Sequence, residues 1–98
     1  MTAPDSQPLA SDMPVVRAPG VAARLVEGEA VIVQPGEGLV TVLNPVGSRI
    51  WECLGTPRSA RELAETIAAE FEVSPDQALA DTLEFLADLR AKGLLRGG

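Results

Sequence analysis

The sequence predicts an α+β fold: a small winged helix-turn-helix-like domain in which a three-stranded antiparallel sheet is followed by three helices. Two observations support this prediction. Short runs of Val, Ile, Leu and Thr, separated by turn residues, occupy the first half of the 98-residue chain. The second half contains three helix start signals, each followed by apolar residues at helical spacing. We therefore expect the element order β-β-β-α-α-α.

The three predicted strands cover residues 23–26, 30–34 and 39–43. A Glu-Gly pair separates the first two strands and favours a tight hairpin turn. The segment 35–38 carries one proline and two glycines, which favour a longer turn before the third strand. Short strands joined by turns of this length predict an antiparallel meander.

The first two helices begin at residues that favour helix capping. Asn44 is a good N-cap, and the proline after it is tolerated at the first helical position, where its missing N–H is no loss. This helix should be short, because Gly55 and the Thr-Pro pair behind it stop it. Ser59 and Glu62 match a capping box, which predicts a second helix over residues 60–71.

The third helix has a clear start and a clear end. Ser74 and Pro75 repeat the cap-and-proline signal, and the helical pattern continues to Lys92. Gly93 suits the left-handed position that follows a helix, and Leu94 suits the apolar position of a Schellman motif. We expect the ordered chain to end soon after this motif.

Residues 1–18 are predicted to form a flexible N-terminal tail, and residues 19–96 to form the folded domain. The tail contains three prolines and has no hydrophobic period. It also lacks the basic and apolar regions of a signal peptide, and no stretch of the chain is apolar for the length of a membrane span. We expect a cytoplasmic protein that is a monomer or a weak homodimer.

The acidic composition argues against a nucleic-acid partner and against a membrane partner. The formal net charge is −6, which opposes sequence-independent binding to phosphate backbones and to anionic lipids. Two helices beside a small sheet would otherwise suit a DNA-binding winged helix. The last two predicted helices are themselves acidic, whereas a helix that enters the major groove needs positive charge.

The side-chain inventory predicts no enzyme activity, no cofactor and no metal site. The chain has no His and no Tyr, and its single cysteine, Cys53, has the apolar neighbours typical of a small buried residue. Carboxylates remain as candidates for acid–base chemistry. Asp81, Glu84 and Asp88 are near neighbours on the third helix, but this spacing is typical of a solvent-exposed helix face.

The third helix carries more apolar surface than one core contact requires. At 100° per residue, Leu79, Leu83 and Leu86 lie on one side, and Phe85 and Leu89 widen the apolar arc beyond an ordinary stripe. One flank of this arc could therefore face a partner. Arg90 lies within the apolar sector, where it either extends to solvent at the last turn or faces a ligand.

The predicted sheet offers a complementary feature, because a three-stranded sheet has two edges with unpaired N–H and C=O groups. An extended peptide could add a fourth strand at such an edge, with affinity from the main chain and specificity from pockets beneath alternate side chains. The alternative is an edge that is exposed or that serves dimerisation.

Several segments resemble the PqqD-like proteins, which include the recognition elements for ribosomally synthesised and post-translationally modified peptides (RiPPs). The resemblance is carried by Gly-Glu-Ala-Val-Ile-Val from Gly28, Leu-Asn-Pro-Val-Gly from Leu43, Ile-Trp-Glu-Cys-Leu from Ile50 and the closing Gly93-Leu94 pair. It extends over residues 21–95. Many relatives carry an aromatic residue in the strand before the Leu-Asn pair, and this chain has none there.

The resemblance implies a protein that binds the leader segment of a precursor peptide as an added antiparallel strand, between the third strand and the third helix. The implied partner enzymes are radical SAM enzymes, leader peptidases or cyclases. The implied peptide-binding residues are Leu39, Val40, Thr41, Val42, Leu43, Leu79, Leu83, Leu86 and Arg90. Which of the helical residues face the peptide rather than the core stays open. The alternative function is an acidic winged-helix module for protein interaction or dimerisation, without a leader peptide.

Overall fold

The computed structural model describes residues 10–34 and 38–97. Its elements are β1 (Val15–Arg17), β2 (Ala22–Val26), β3 (Glu29–Gln34), β4 (Leu39–Val42), α1 (Pro45–Cys53), α2 (Ala60–Glu70), α3 (Pro75–Ala91) and β5 (Leu95–Gly97). The predicted α+β class is confirmed, since the antiparallel sheet β2-β3-β4 precedes three helices. Two short strands at the ends of the chain, β1 and β5, were not predicted.

The β2–β3 hairpin follows from its two turn residues. Glu27 and Gly28 have φ angles of 53° and 84°, the left-handed conformation that a tight hairpin turn requires at both positions. The adjoining residues Val26 and Glu29 are directly opposite each other. Of the predicted turn over 35–38, residues 35–37 lie outside the described residues, and Gly38 has a φ of 67°.

All three predicted N-caps are confirmed. Asn44 Oδ1 accepts a hydrogen bond of 2.7 Å from the backbone N–H of Gly47. Ser59 and Glu62 form the complete capping box, with hydrogen bonds in both directions. The hydroxyl of Ser74 accepts from the backbone N–H of the residue three positions later at 3.2 Å. These short-range bonds determine where each helix begins.

The end of α3 forms the expected Schellman motif. Gly93 has a φ of 76°, and its N–H donates to the carbonyl of Arg90 at 3.0 Å. The N–H of Leu94 donates to the carbonyl of Leu89 at 2.9 Å. This pair of bonds reverses the chain and directs it into β5.

The strand β1 lies within the predicted tail. Val15–Arg17 pairs antiparallel with Leu95–Gly97, and Val15 is only 3% exposed. The backbone of Val15 also exchanges two hydrogen bonds with Arg58, of 2.8 and 2.9 Å. These residues therefore belong to the fold, because their partners come from the far end of the chain. Residues 1–9 of the predicted tail lie outside the described residues.

The core lies between the helices and one face of the sheet. Ala30 and Ile32 of β3 point into it, whereas the alternate side chains of that strand point to the outer face. The buried Ser48 joins α1 to the sheet, since its hydroxyl accepts from the N–H of Ala30 at 2.7 Å and donates to the carbonyl of Leu43 at 3.2 Å. Within the described parts of the chain, no helix has the length and apolar character to cross a bilayer.

Candidate functional site

The strand β4 forms one edge of the three-stranded sheet. The strand order is β2-β3-β4, and among residues 10–34 and 38–97 no strand pairs with the far side of β4. Val40 and Val42 are 64% and 61% exposed. An edge of this kind presents backbone donors and acceptors to any extended chain that approaches it.

The register shows which backbone groups are available at this edge. The N–H of Leu43 donates to the carbonyl of Ala30 at 2.9 Å, so these two opposite residues are a hydrogen-bonded pair. In an antiparallel pair, hydrogen-bonded and non-hydrogen-bonded positions alternate. Leu39 and Thr41 therefore direct their backbone groups toward β3. Val40 and Val42 direct theirs away from the sheet, to the free edge.

The side chains of β4 alternate between two faces of the sheet. Thr41 lies opposite the fully buried Ile32, so its side chain shares the face that covers the core. Leu39 lies opposite Gln34 on the same face, and Gln34 Nε2 donates to the carbonyl of Lys92 at 3.0 Å. The C-terminal end of α3 thus lies beneath the start of β4.

A cavity of about 550 Å³ opens where β4 leads into α1 and faces α3. Its walls come from the β4–α1 connection, from α1, from the end of α2 and from α3. The lining residues are Asn44, Val46, Gly47, Ile50, Ile67, Val73, Asp81, Thr82, Glu84, Phe85 and Asp88. This volume lies within the range of ligand pockets and is large enough for one or two amino-acid side chains.

The ring of Phe85 lies against the backbone of α1. A Cβ atom added to Gly47 would be 3.0 Å from Phe85 Cε1, so the absence of a side chain at Gly47 permits this close approach. Phe85 is half-buried and exposes part of its ring in the cavity. Thr82 lies one helical turn before Phe85 and also lines the cavity. It is 1% exposed, and its hydroxyl has no hydrogen-bond partner among the described residues.

The rim of the cavity is acidic. Asp88 pairs with Lys92 at 3.0 Å, and Asp81 accepts a hydrogen bond of 2.8 Å from Gln77. Glu84 is exposed beside them. Since no basic side chain lines the cavity, the rim favours neutral or cationic ligand groups.

Two of the residues predicted to contact the peptide are buried. Leu86 is 1% exposed and lies in the core, so its side chain is not available at the surface. Leu43 is also buried, and both its N–H and its carbonyl are bonded within the domain. The accessible part of the predicted strand is Leu39–Val42.

The other predicted residues of α3 lie away from the cavity. Leu79, Leu83 and Arg90 are half-buried, and none of them lines it. At 100° per residue, Leu83 and Phe85 are separated by about 200° around the helix axis, on nearly opposite flanks. The flank beside the β4–α1 corner is therefore that of Phe85, which lies at the margin of the apolar arc on the helical wheel.

Three solved structures share this fold. TbiB1 in complex with the TbiA(beta) leader peptide has a TM-score of 0.74 and 30% identity, over 83% of this chain and 94% of that chain. The PqqD truncation of Methylobacterium extorquens PqqCD, a stand-alone RiPP recognition element, has a TM-score of 0.75 and 19% identity, over 90% and 94%. Lasso peptide synthetase B1 complexed with the leader peptide has a TM-score of 0.74 and 20% identity, over 84% and 96%.

The two structures of lower identity establish the fold alone, whereas TbiB1 is also a sequence relative across nearly its whole length. No curated protein matches the sequence. The model of the family described as coenzyme PQQ synthesis protein D (PqqD) matches residues 29–95, from the first residue of β3 to the first residue of β5. Since this match covers most of the chain and includes the edge strand, the cavity and all three helices, the chain belongs to the PqqD family.

Proposed function

We propose that this protein binds the leader segment of a ribosomally synthesised precursor peptide and presents the peptide to a modifying enzyme. The observation that carries the proposal is the free edge of β4 beside a cavity of about 550 Å³. An edge of this kind supplies main-chain hydrogen bonds, and the cavity supplies selectivity for side chains. TbiB1, which is 30% identical to this chain, is a protein that was solved with a leader peptide.

The leader backbone adds as a fourth strand next to β4. The N–H and C=O groups of Val40 and Val42 are the ones that point to the free edge, so they bond to the leader. The strand β3 keeps its own bonds to Leu39 and Thr41. Strand addition at this position leaves the existing ladder unchanged and needs no rearrangement of the sheet.

Alternate side chains of the leader then point toward α3 and enter the cavity. Phe85, Val46 and Ile50 form an apolar surface there, and an apolar leader side chain gains free energy by covering it. The carboxylates at the rim favour a neutral or cationic residue beside that anchor. A contribution from Leu79, Leu83 and Arg90, on the other flank of α3, stays a prediction from the family resemblance.

The protein acts as an accessory domain that performs no chemistry of its own. Modification of the core peptide is the task of the partner, for which a radical SAM enzyme, a leader peptidase or a cyclase are the candidates. The acidic side chains at the rim of the cavity bond to Gln77 and Lys92 or are exposed to solvent, an arrangement typical of a helix surface. We place the complex in the cytoplasm.

The test is a titration of the labelled protein with leader segments of small precursor peptides encoded beside its gene. Saturable binding should shift the amide resonances of Val40 and Val42 and those of residues around the cavity. Val40→Pro removes one N–H from the free edge without removing a bond to β3, and it should weaken leader binding by about tenfold or more.

Val40→Thr is the matched control, since it keeps the N–H and the β-branched shape and should bind the leader as wild type does. Circular dichroism would show that both variants retain the fold. Equal affinities of the proline and threonine variants would exclude addition at this edge. A failure of every leader to bind would favour the alternative, a module for protein interaction or dimerisation.

A further inference from the structure

The opposite edge of the sheet, at β2, carries a second cavity with different chemistry. This cavity has a volume of about 190 Å³ and lies beneath β2, next to α1. Its lining residues are Arg17, Ala23, Arg24, Leu25, Ala30, Trp51 and Glu52. None of these residues lines the cavity beside β4, so the two sites are separate.

Trp51 lines this cavity, and its indole N–H is buried. Trp51 is 3% exposed, and no acceptor among the described residues bonds to its Nε1. A buried donor without an acceptor has lost its hydrogen bond to water, so a ligand that supplies an acceptor recovers a favourable interaction. The aromatic side chain thus contributes both an apolar wall and a hydrogen-bond donor.

The guanidinium group of Arg17 reinforces this preference for an acceptor. Arg17 lies over the ring of Trp51, with 5.4 Å between Cζ and the ring centroid. It is held beside Gly55, where an added Cβ would be 2.6 Å from Arg17 Nη2. Within residues 10–34 and 38–97, Arg17 forms no ion pair within 4.0 Å, although Glu52 also lines the cavity.

The backbone of β2 adds a third element of recognition. Val26 and Glu29 flank a two-residue hairpin turn and form a hydrogen-bonded pair, so Ala23 and Leu25 direct their N–H and C=O groups to the free edge. These two residues also line the cavity. Arg24 lies between them, opposite Val31, so its side chain is on the outer face of the sheet. A strand that pairs with Ala23 and Leu25 places its inward side chains on the side of Trp51 and Arg17.

We propose that the β2 edge is a second strand-addition site, which binds an extended segment of a partner protein that inserts an Asp or Glu side chain into this cavity. A carboxylate can accept from the indole N–H and from the Arg17 guanidinium, and charge-assisted bonds of this kind are stronger than neutral ones. The site does not depend on leader binding. It provides a surface by which the protein can contact a second macromolecule while β4 is occupied.

The test uses three synthetic pentapeptides as probes. The first is acetyl-Thr-Val-Glu-Val-Thr-amide, the second has Gln in place of Glu, and the third has Gln and a free C-terminal carboxylate. The readout is the indole ¹H–¹⁵N resonance of Trp51, which is unambiguous because the chain has one tryptophan. We expect saturable displacement of this resonance by the Glu peptide, at an affinity about tenfold higher than that of the Gln peptide.

Arg17→Gln should remove this preference, because it deletes the guanidinium group over Trp51. Arg24→Gln is the matched control, since it makes the same charge change on the outer face of β2 and should keep the preference. Equal affinities of the Glu and Gln peptides, or the same response in both variants, would overturn the proposal.

Two further outcomes would identify another occupant of the β2 site and would also overturn the proposal. Stronger binding of the peptide with the free carboxylate would assign the cavity to a chain terminus. A Trp51 resonance that depends on protein concentration, together with a dimer in light scattering, would assign the β2 edge to a second copy of this chain. A failure of leader binding at β4 would not change these outcomes. Leader binding is followed through the amide resonances of β4, and binding at β2 through the indole resonance of Trp51.

Discussion

At the scale of single residues, Phe85 is the side chain that connects the cavity beside β4 with the core. Its ring touches the backbone of α1 at Gly47 and lines the cavity next to β4. Leu83, two positions earlier, is also half-buried but lies on the opposite flank of α3. The two residues have similar burial and different surroundings, so a comparison of their variants separates a binding role from a structural one.

Phe85→Ala should weaken leader binding by about tenfold or more, because it removes the largest apolar contact of the cavity. Leu83→Ala should lower the free energy of unfolding and leave the affinity unchanged. Isothermal titration with a leader peptide, at a temperature where both variants are folded, checks this pair. The reverse result would place the peptide on the flank of Leu79, Leu83 and Arg90, as the family resemblance implies.

The sequence could not decide between these flanks. A helical wheel gives the angle of each residue around α3 but not the direction of the sheet. Both Leu83 and Phe85 fall at margins of one wide apolar arc, and acidic neighbours on the side of Phe85 made that flank resemble a solvent-exposed face. Only the hydrogen bond from Gln34 to Lys92 and the contact between Phe85 and Gly47 show which flank lies beside β4.

At the scale of elements, the helix starts were predictable because capping is local. Each cap bond joins residues three positions apart, so the sequence contains both partners. In the capping box of α2, the N–H of Ser59 donates to the carboxylate of Glu62 at 3.0 Å. This backbone bond, followed by the bond from the Ser59 side chain, lowers the pKa of the Glu62 carboxyl below its ordinary value of 4.5.

The lowered pKa gives a pH dependence with a definite sign. The contribution of Glu62 to stability is present above pH 4.5 and is lost as the pH falls through the folded-state pKa. Glu62→Gln should therefore be less stable than wild type at neutral pH, and the difference should shrink in acid. Urea unfolding across this range measures it. Glu65→Gln removes an exposed charge from the same helix without touching the cap, and a similar profile there would refute the assignment.

The pairing of β1 with β5 was not predictable, because its partners lie at opposite ends of the chain. Val15 and Val16 form a run too short to show a period, and the segment around them is rich in proline. The buried position of Val15 arises only when Leu95 and Arg58 are brought beside it. Non-local pairing of this kind has no signature within either segment.

Val15→Ala tests whether β1 is part of the stable fold. Because Val15 is almost completely buried, the loss of its two methyl groups should lower the free energy of unfolding by about 2 kcal/mol. Val16→Ala changes a half-buried neighbour in the same strand and should cost less than half as much. Equal and negligible effects of the two substitutions on chemical denaturation would show that residues 15–17 belong to a flexible tail.

At the scale of the whole molecule, the central sheet has two edges with different properties. The β4 edge adjoins a larger cavity with an apolar floor and an acidic rim, and the β2 edge adjoins a smaller cavity with Arg17 and a buried indole. The strand β3 lies between them and bonds to both neighbours. Two extended segments can therefore add to one sheet without contact between them, which suits a protein that presents a peptide to another macromolecule.

Independent occupation of the two edges is the last prediction. Saturation of the β2 site with the Glu-containing pentapeptide should change the leader dissociation constant by less than about twofold, because no residue is shared and β3 keeps its hydrogen bonds. Arg17→Gln should likewise leave leader affinity unchanged, and Val40→Pro should leave the Trp51 titration unchanged. Fluorescence anisotropy of a labelled leader, with and without the pentapeptide, measures the coupling. Direct competition would mean that both ligands use the same edge, whereas a coupling of tenfold or more would show that β3 transmits the binding of one strand to the other.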